Sequence, residues 1–287
     1  MRIRVRHVTR YQYEGTARSV MQLLRLTPRP HAGQQVVDWR LDADADVRLR
    51  WSEDAFGNIV HHLSSERALQ ALTVTVTGEV VTTETAGVVA GSVERLPDEV
   101  YLRVTPRTRP DAAIADFARR VDPGEGAGLL GRLHALMSAV SETVAFDTEA
   151  TDVRGGAAEA FALRRGVCQD HAHIFIAAAR CLELPARYVS GHLVRSDGVL
   201  AQEAMHAWAE AKAPDLGWVG FDAANGVSPT EAYVRVATGL DYLDAAPVRG
   251  AWTGGGEERL TVEVSASQVQ PPRPRRGPSQ AQSQSQS

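Results

Sequence analysis

The chain predicts an α+β fold: an antiparallel β region first, then a core that mixes helices with strands. Three observations carry this. Up to about residue 100 apolar and polar residues alternate at period two, from residue 111 the apolar spacing turns helical, and after Pro185 strand-like runs return.

Taken in order, Ile3 and Val5 alternate with Arg2, Arg4 and Arg6, which reads as a strand with a wet basic face. Residues 47–51 and 72–77 repeat the alternation expected of half-buried strands. Between them residues 54–58 form a turn cluster, and Ile59-Val60 resumes a strand. The β-branched run at 73–83 suits a pleated surface better than a helix. Asp42-Ala-Asp-Ala-Asp46 marks a solvent-facing strand edge and lacks the glycine and terminal glutamate of a calcium loop. Residues 1–105 are therefore expected to form an antiparallel β domain.

Pro97, Pro106 and Pro110 punctuate the chain, and Asp111 can cap a helix running through Ile114 and Phe117. Leu130, Leu133, Leu136, Met137 and Val140 share a helical spacing. A third helix follows Cys168, with Ala172, Phe175, Ile176, Ala179 and Leu182 on one stripe, and Pro185 stops it. Residues 186–193, 205–212 and 218–222 read as strands, with turns at Asp197-Gly198 and at 214–217. The core is expected over 106–268. Residues 269–287, Pro/Arg-rich and then a Ser/Gln repeat, are expected to be a disordered tail.

With 287 residues, 44% hydrophobic and 23% charged, the chain can bury a substantial core. A net charge of −4 argues against nucleic acid as the main partner. The opening residues lack an apolar signal region, and no apolar run approaches the roughly 18 residues of a membrane span. Two cysteines do not make a disulfide framework, so a cytoplasmic location is expected.

Chemistry concentrates in residues 166–173, Gly-Val-Cys-Gln-Asp-His-Ala-His, which open the third helix. At that junction the helix dipole and first-turn amides favour an anion, so Cys168 is a candidate thiolate nucleophile. Cys181, near the other end, reads as a small buried hydrophobe. His206 lies in one strand and Asp222 in the next, so the pair can approach across a hairpin through the 214–217 turn. Cysteine, histidine and aspartate are the parts of a nucleophilic acyl-transfer site. Placement alone leaves a structural cysteine and a structural histidine open. Cys168, His171 and His173 are spaced wrongly to converge on one ion, and neither Cys-x-x-Cys nor His-Glu-x-x-His occurs, so no metal is expected. A phosphate-binding loop and a Gly-x-Ser-x-Gly elbow are also missing, and no cofactor is expected.

Four ordered stretches, 166–173, 184–191, 206–210 and 217–226, together resemble the bacterial transglutaminase-like proteins, as do 236–250 and the opening Arg-His-Val-Thr-Arg-Tyr-Gln-Tyr-Glu. The resemblance covers nearly everything except the tail. It implies a papain-like core preceded by a β domain, and a triad of Cys168, His206 and Asp222. It also implies a protein or peptide substrate and cysteine-dependent acyl transfer at amide bonds, with hydrolysis favoured. A glutamine γ-glutamyltransferase, cross-linking or deamidating, is the alternative, and a non-catalytic binding module with the same fold is the rival of another class. Ala207-Trp-Ala-Glu-Ala211 replaces the family's bulkier valines and leaves more room beside the site, and Ala223 follows the aspartate where a proline is frequent. The natural substrate and the oligomeric state are not legible in these residues.

Overall fold

The computed structural model describes residues 1–149, 155–195, 197, 199, 201–202, 204–254 and 256–269. Residues 270–287 of the expected disordered tail and Gly198 of the expected turn lie outside them. The chain opens with five strands, β1 (Arg2–Thr27), β2 (Gln34–Ala43), β3 (Arg48–Glu53), β4 (Ile59–Ser65) and β5 (Leu69–Thr82), and a short β6 (Val88–Val89). Then come α1 (Ala112–Val121), α2 (Gly128–Thr143), β7 (Ala145–Phe146), α3 (Ala157–Leu163), β8 (Arg165–Gly166) and α4 (Cys168–Cys181). The chain continues through β9 (Ala186–Leu193), β10 (Ala201–Gln202), β11 (His206–Ala213), β12 (Gly217–Phe221), β13 (Tyr233–Gly239), α5 (Tyr242–Ala245), β14 (Val248–Gly254) and β15 (Glu258–Gln268).

β1 is the spine of the first sheet. Its first half runs antiparallel between β5 and β15, and its second half between β4 and β14, with register shifts near residues 12–17 where it changes partners. The pairing crosses the division expected at residue 105 in both directions. β14 and β15, from the C-terminal end, complete the first sheet, whereas β6 joins β12 of the second. The period-two reading of β1 fits its burial, since Ile3 and Val5 are buried while Arg2, Arg4 and Arg6 face solvent. It fails at β3, where all six residues are exposed. β3 is an outer strand with only β4 beside it, so alternation there sets the pleat without a second layer to cover it.

The second sheet runs in the order β13-β9-β11-β12-β6. α4 lies against β9 and β11, with α1, α2 and α3 packed around its remaining sides. Gln169 through Arg180 are consequently all buried, which explains why this helix is apolar well beyond one stripe. Asp111 caps α1 by accepting from the Ile114 amide at 2.9 Å. α4 ends at Cys181, and Glu183 turns left-handed (φ 59°) before Pro185. The seven-residue α3 gave no sequence signal, being too short to display a period.

β11 is buried on both faces. Ala207, Ala209 and Ala211 meet α4, and their smallness lets helix and sheet approach closely. On the other face Glu210 is fully buried and bonds Arg187 (2.7 Å) and Arg235 (2.7 and 3.1 Å). Arg187 in turn bonds Glu94 and lies 3.8 Å over the Trp218 ring. Burial raises the Glu210 pKa, but the two guanidinium groups outweigh it and bring it down to about 2.

Two amide side chains from the first sheet's strands and loops clasp β13. Gln34 bonds both the carbonyl and the amide of Arg235 (2.8 and 2.8 Å), and Asn58 does the same at Thr238 (2.7 and 2.8 Å). Each stands in for a neighbouring strand along an otherwise open edge. Among the described residues no helix is long and apolar enough to cross a membrane.

Candidate active site

Val167 adopts an extended conformation and Cys168 is the first residue of α4. The turn is fixed by Asp170, whose carboxylate accepts from the Val167 amide at 2.8 Å. Gly166 is required there, because a Cβ would lie 2.5 Å from Asp170 Oδ2. Cys168 is partly exposed, with its sulfur beside the amide-rich end of a 14-residue helix.

β11 and β12 pair with Ala209 opposite Phe221. Continuing that register by one step puts Asp222 opposite Trp208, on the face that also carries His206 two residues away, within diagonal reach. His206 Nε2 donates to Asp222 Oδ2 at 2.6 Å. The hairpin approach expected from sequence is therefore formed.

Asp222 is fully buried, and its carboxylate is satisfied on every side. Oδ2 also accepts from the Tyr233 hydroxyl and the Asn225 side chain, each at 2.7 Å, while Oδ1 accepts from the amides of Ala224 (3.1 Å) and Asn225 (3.3 Å). Burial pushes its pKa up, but the bonds from His206, Tyr233 and Asn225 bring it below the ordinary carboxylate value. Burial pulls His206 down, yet its hydrogen bonds to Asp222 and to Cys168 overcome this and push it up to about 10. The structure thus brings Cys168, His206 and Asp222 into one interacting chain, with an imidazolium in the middle. Trp208 stacks at 6.2 Å from the His206 ring and Tyr233 lies at 5.8 Å, so two aromatic rings wall it.

Tyr233 and Asn225 were not anticipated. Asn225 sits in the Asp-Ala-Ala-Asn-Gly turn, where an asparagine is an ordinary turn former, so only its spacing from Asp222 could have signalled a role. Tyr233 comes from β13, which reaches Asp222 through a sheet order that no local pattern encodes.

The other histidines near Cys168 point away. Both ring nitrogens of His171 face backbone carbonyls, of Val167 and Val144 (2.9 Å each). His173 is fully buried, accepts from the Tyr242 amide at 3.1 Å, and is pulled down to about 3 by burial and by Arg107 and Arg180. Among the described residues no cluster of three or more His, Cys, Asp or Glu side chains could hold a metal. Cys181, at the far end of α4, is partly buried, and burial raises its pKa.

Residues 3–81 match the family described as the bacterial transglutaminase-like N-terminal region, and residues 115–223 match the transglutaminase-like superfamily core. An uncharacterized protein of Mycobacterium leprae is 30% identical over 289 residues, covering 93% of this chain and 99% of its own. An uncharacterized protein of Mycobacterium tuberculosis is likewise 30% identical over 293 residues, covering 93% and 92%. The crystal structure of a candidate cysteine protease from Cytophaga hutchinsonii superposes with a TM-score of 0.76 at 21% identity, covering 94% of this chain and 91% of that one. The fold is accordingly a transglutaminase-like, papain-like core joined to an antiparallel β sheet, and membership supports a cysteine-dependent catalytic kind. The chain belongs to the bacterial transglutaminase-like superfamily.

Proposed function

We propose that the protein is a cysteine-dependent acyl-transfer enzyme acting on amide bonds of a protein or peptide, with water as the usual acceptor. The observation that carries this reading is the Asp222–His206 hydrogen bond with Cys168 on the other side of the same imidazolium. Asp222 holds Nε2, which leaves Nδ1 as the nitrogen that serves the sulfur. The Cys168 sulfur attacks the amide carbonyl carbon, and its first-turn amide meets the developing oxyanion. The C–N bond breaks as His206 passes its proton to the departing amine or ammonia, leaving a thioester on Cys168. His206, now neutral, takes a proton from water as that water attacks the thioester. The acid leaves and the imidazolium–thiolate pair is restored. Asp222 fixes the ring and offsets its charge without itself accepting a proton.

Hydrolysis is favoured over amine transfer because no dedicated entry for a second amine is legible in the sequence or among the described residues, and a compartment that keeps Cys168 reduced is the location that suits the chemistry. Incubating the protein with a glutamine-containing peptide, with and without a primary amine, and weighing the products tests both levels. Acid product that depends on Cys168 is the expected result. Amine incorporation well above hydrolysis would convert the assignment to a transferase. Absence of any Cys168-bound acyl adduct across a peptide library would overturn the enzyme reading.

A further inference from the structure

The first sheet contains a second candidate site, built at the corner where β1 changes partners. A cavity of about 140 Å³ is lined there by Tyr13, Val20, Gln22, Trp252, Glu258 and Leu260, among others. The ladders explain the convergence. Tyr13 pairs with Glu258 across β1/β15, and Val20 and Gln22 pair with Trp252 and Gly250 across β1/β14. Gly250 keeps the space above Gln22 open, since a Cβ there would lie 2.7 Å from Gln22 Cγ.

The polar lining is unfinished. Tyr13 and Gln22 are each more than nine-tenths buried (6% and 5% exposed), yet the Tyr13 hydroxyl and Gln22 Oε1 have no hydrogen-bond partner. A buried polar atom without a partner costs about 1–3 kcal/mol, so two such atoms facing one cavity mark a place for a ligand. Both atoms can accept, the Tyr11 hydroxyl on the same lining is already paired with the Gln22 side chain, and the ionised Glu258 carboxylate is an acceptor without a donor among the described residues. The apolar walls are aromatic, with the Tyr13 and Trp252 rings 6.0 Å apart. The cavity adjoins a wide open depression that shares Tyr13, Glu258 and Leu260 with it and adds the exposed Glu14 and Glu257, countered by Arg259. Burial raises the Glu258 pKa, a strain that a cation placed beside it would relieve.

We propose that this cavity binds an alkylammonium or alkylguanidinium group, the end of a lysine or arginine side chain of a peptide. The aliphatic stem lies along Val20 and Leu260, the charged head meets the aromatic faces and the Glu258 carboxylate, and the acidic depression draws the cation in. The site uses none of the triad residues, so its failure and the failure of the proposed activity are separable.

The test is a titration of the Cys168→Ala chain, which cannot turn the probe over, with Nα-acetyl-lysine methylamide, read by calorimetry and by backbone amide shifts. Saturable binding with shifts at residues 11–22 and 250–260 is expected. Glu258→Gln should weaken it about fivefold or more, Trp252→Leu by a similar factor, and added salt should weaken it further. The norleucine analogue, which keeps the four-carbon stem and lacks the terminal ammonium, should bind at least about tenfold more weakly. If n-pentylamine binds as well as the lysine probe, the site stands and reads free amines. Equal binding of the norleucine analogue, unchanged affinity in Glu258→Gln, shifts confined to other regions, or no saturable binding would each overturn the proposal.

Discussion

The two ends of α4 carry the chain's two cysteines, both partly buried, and the electrostatics around them differ. Cys168 opens the helix, where amides point outward, and it interacts with the imidazolium of His206. Cys181 closes the same helix, where carbonyls point outward, and burial there raises its pKa against a lowering contribution from Arg119. The helix supplies a favourable field at one end and an unfavourable one at the other. The residue type is constant, so position along one dipole and the identity of one neighbour account for the contrast.

The largest test replaces the two in turn. Cys168→Ala should abolish peptide turnover, a loss of at least about 10⁴-fold, whereas Cys181→Ala should leave kcat/KM within about twofold. Iodoacetamide at pH 6 should label Cys168 much faster than Cys181, as peptide mass mapping would show. Equal labelling would erase the contrast.

The next test removes the charge behind the imidazolium. Asp222→Asn should lower kcat by about 10²–10⁴-fold, because the ring loses both its orientation and its counter-charge. Labelling of Cys168 should slow toward that of Cys181 in the same variant. A smaller loss follows from Tyr233→Phe. One of the three side-chain donors to Asp222 Oδ2 disappears while His206 and Asn225 remain. A hydrogen bond to a charged group is worth about 1.5–3 kcal/mol, so kcat should fall roughly tenfold with KM little changed. The pH at which His206 loses its proton should also move, a readout that a purely structural tyrosine would leave alone.

The legibility of these features from sequence follows the range of the interactions that make them. Cys168, His206 and Asp222 were legible because each sits in a local pattern: a glycine-led helix start, and two short strands joined by a tight turn. The β11/β12 hairpin needs only a few residues to set its register. Tyr233 was not legible because β13 meets Asp222 through the insertion of β9 and β11 between them. The capture of β14 and β15 by β1 escaped notice for the same reason, since strands more than 200 residues apart share no local signal. β3 shows the converse error, a correct period read as burial when nothing covers the strand.

The smallest expected effect on turnover, and the one that separates α4's own histidine from its neighbour's, is the pH dependence of stability. His206 is held up to about 10 against an ordinary value of 6.5. Its contribution to stability is therefore fully present below about pH 6.5 and disappears as pH rises through about 10. His173 on α4 behaves oppositely, being held neutral by burial down to about 3. His7 of β1 and His192 of β9, whose rings lie 6.0 Å apart, are pulled down by burial to about 4 and about 3. All three take up a proton near pH 6.5 only in the unfolded chain, so unfolding binds protons and stability falls as pH drops from about 6.5 toward 4. Urea unfolding between pH 6.5 and 4, below the window over which the His206 contribution changes, should show that decline. His192→Gln should reduce its slope, and replacing His206 should leave it unchanged. A slope that followed His206 instead would mean that the imidazolium beside Cys168 forms only at acid pH, and the contrast between the two ends of α4 would then lose its cause.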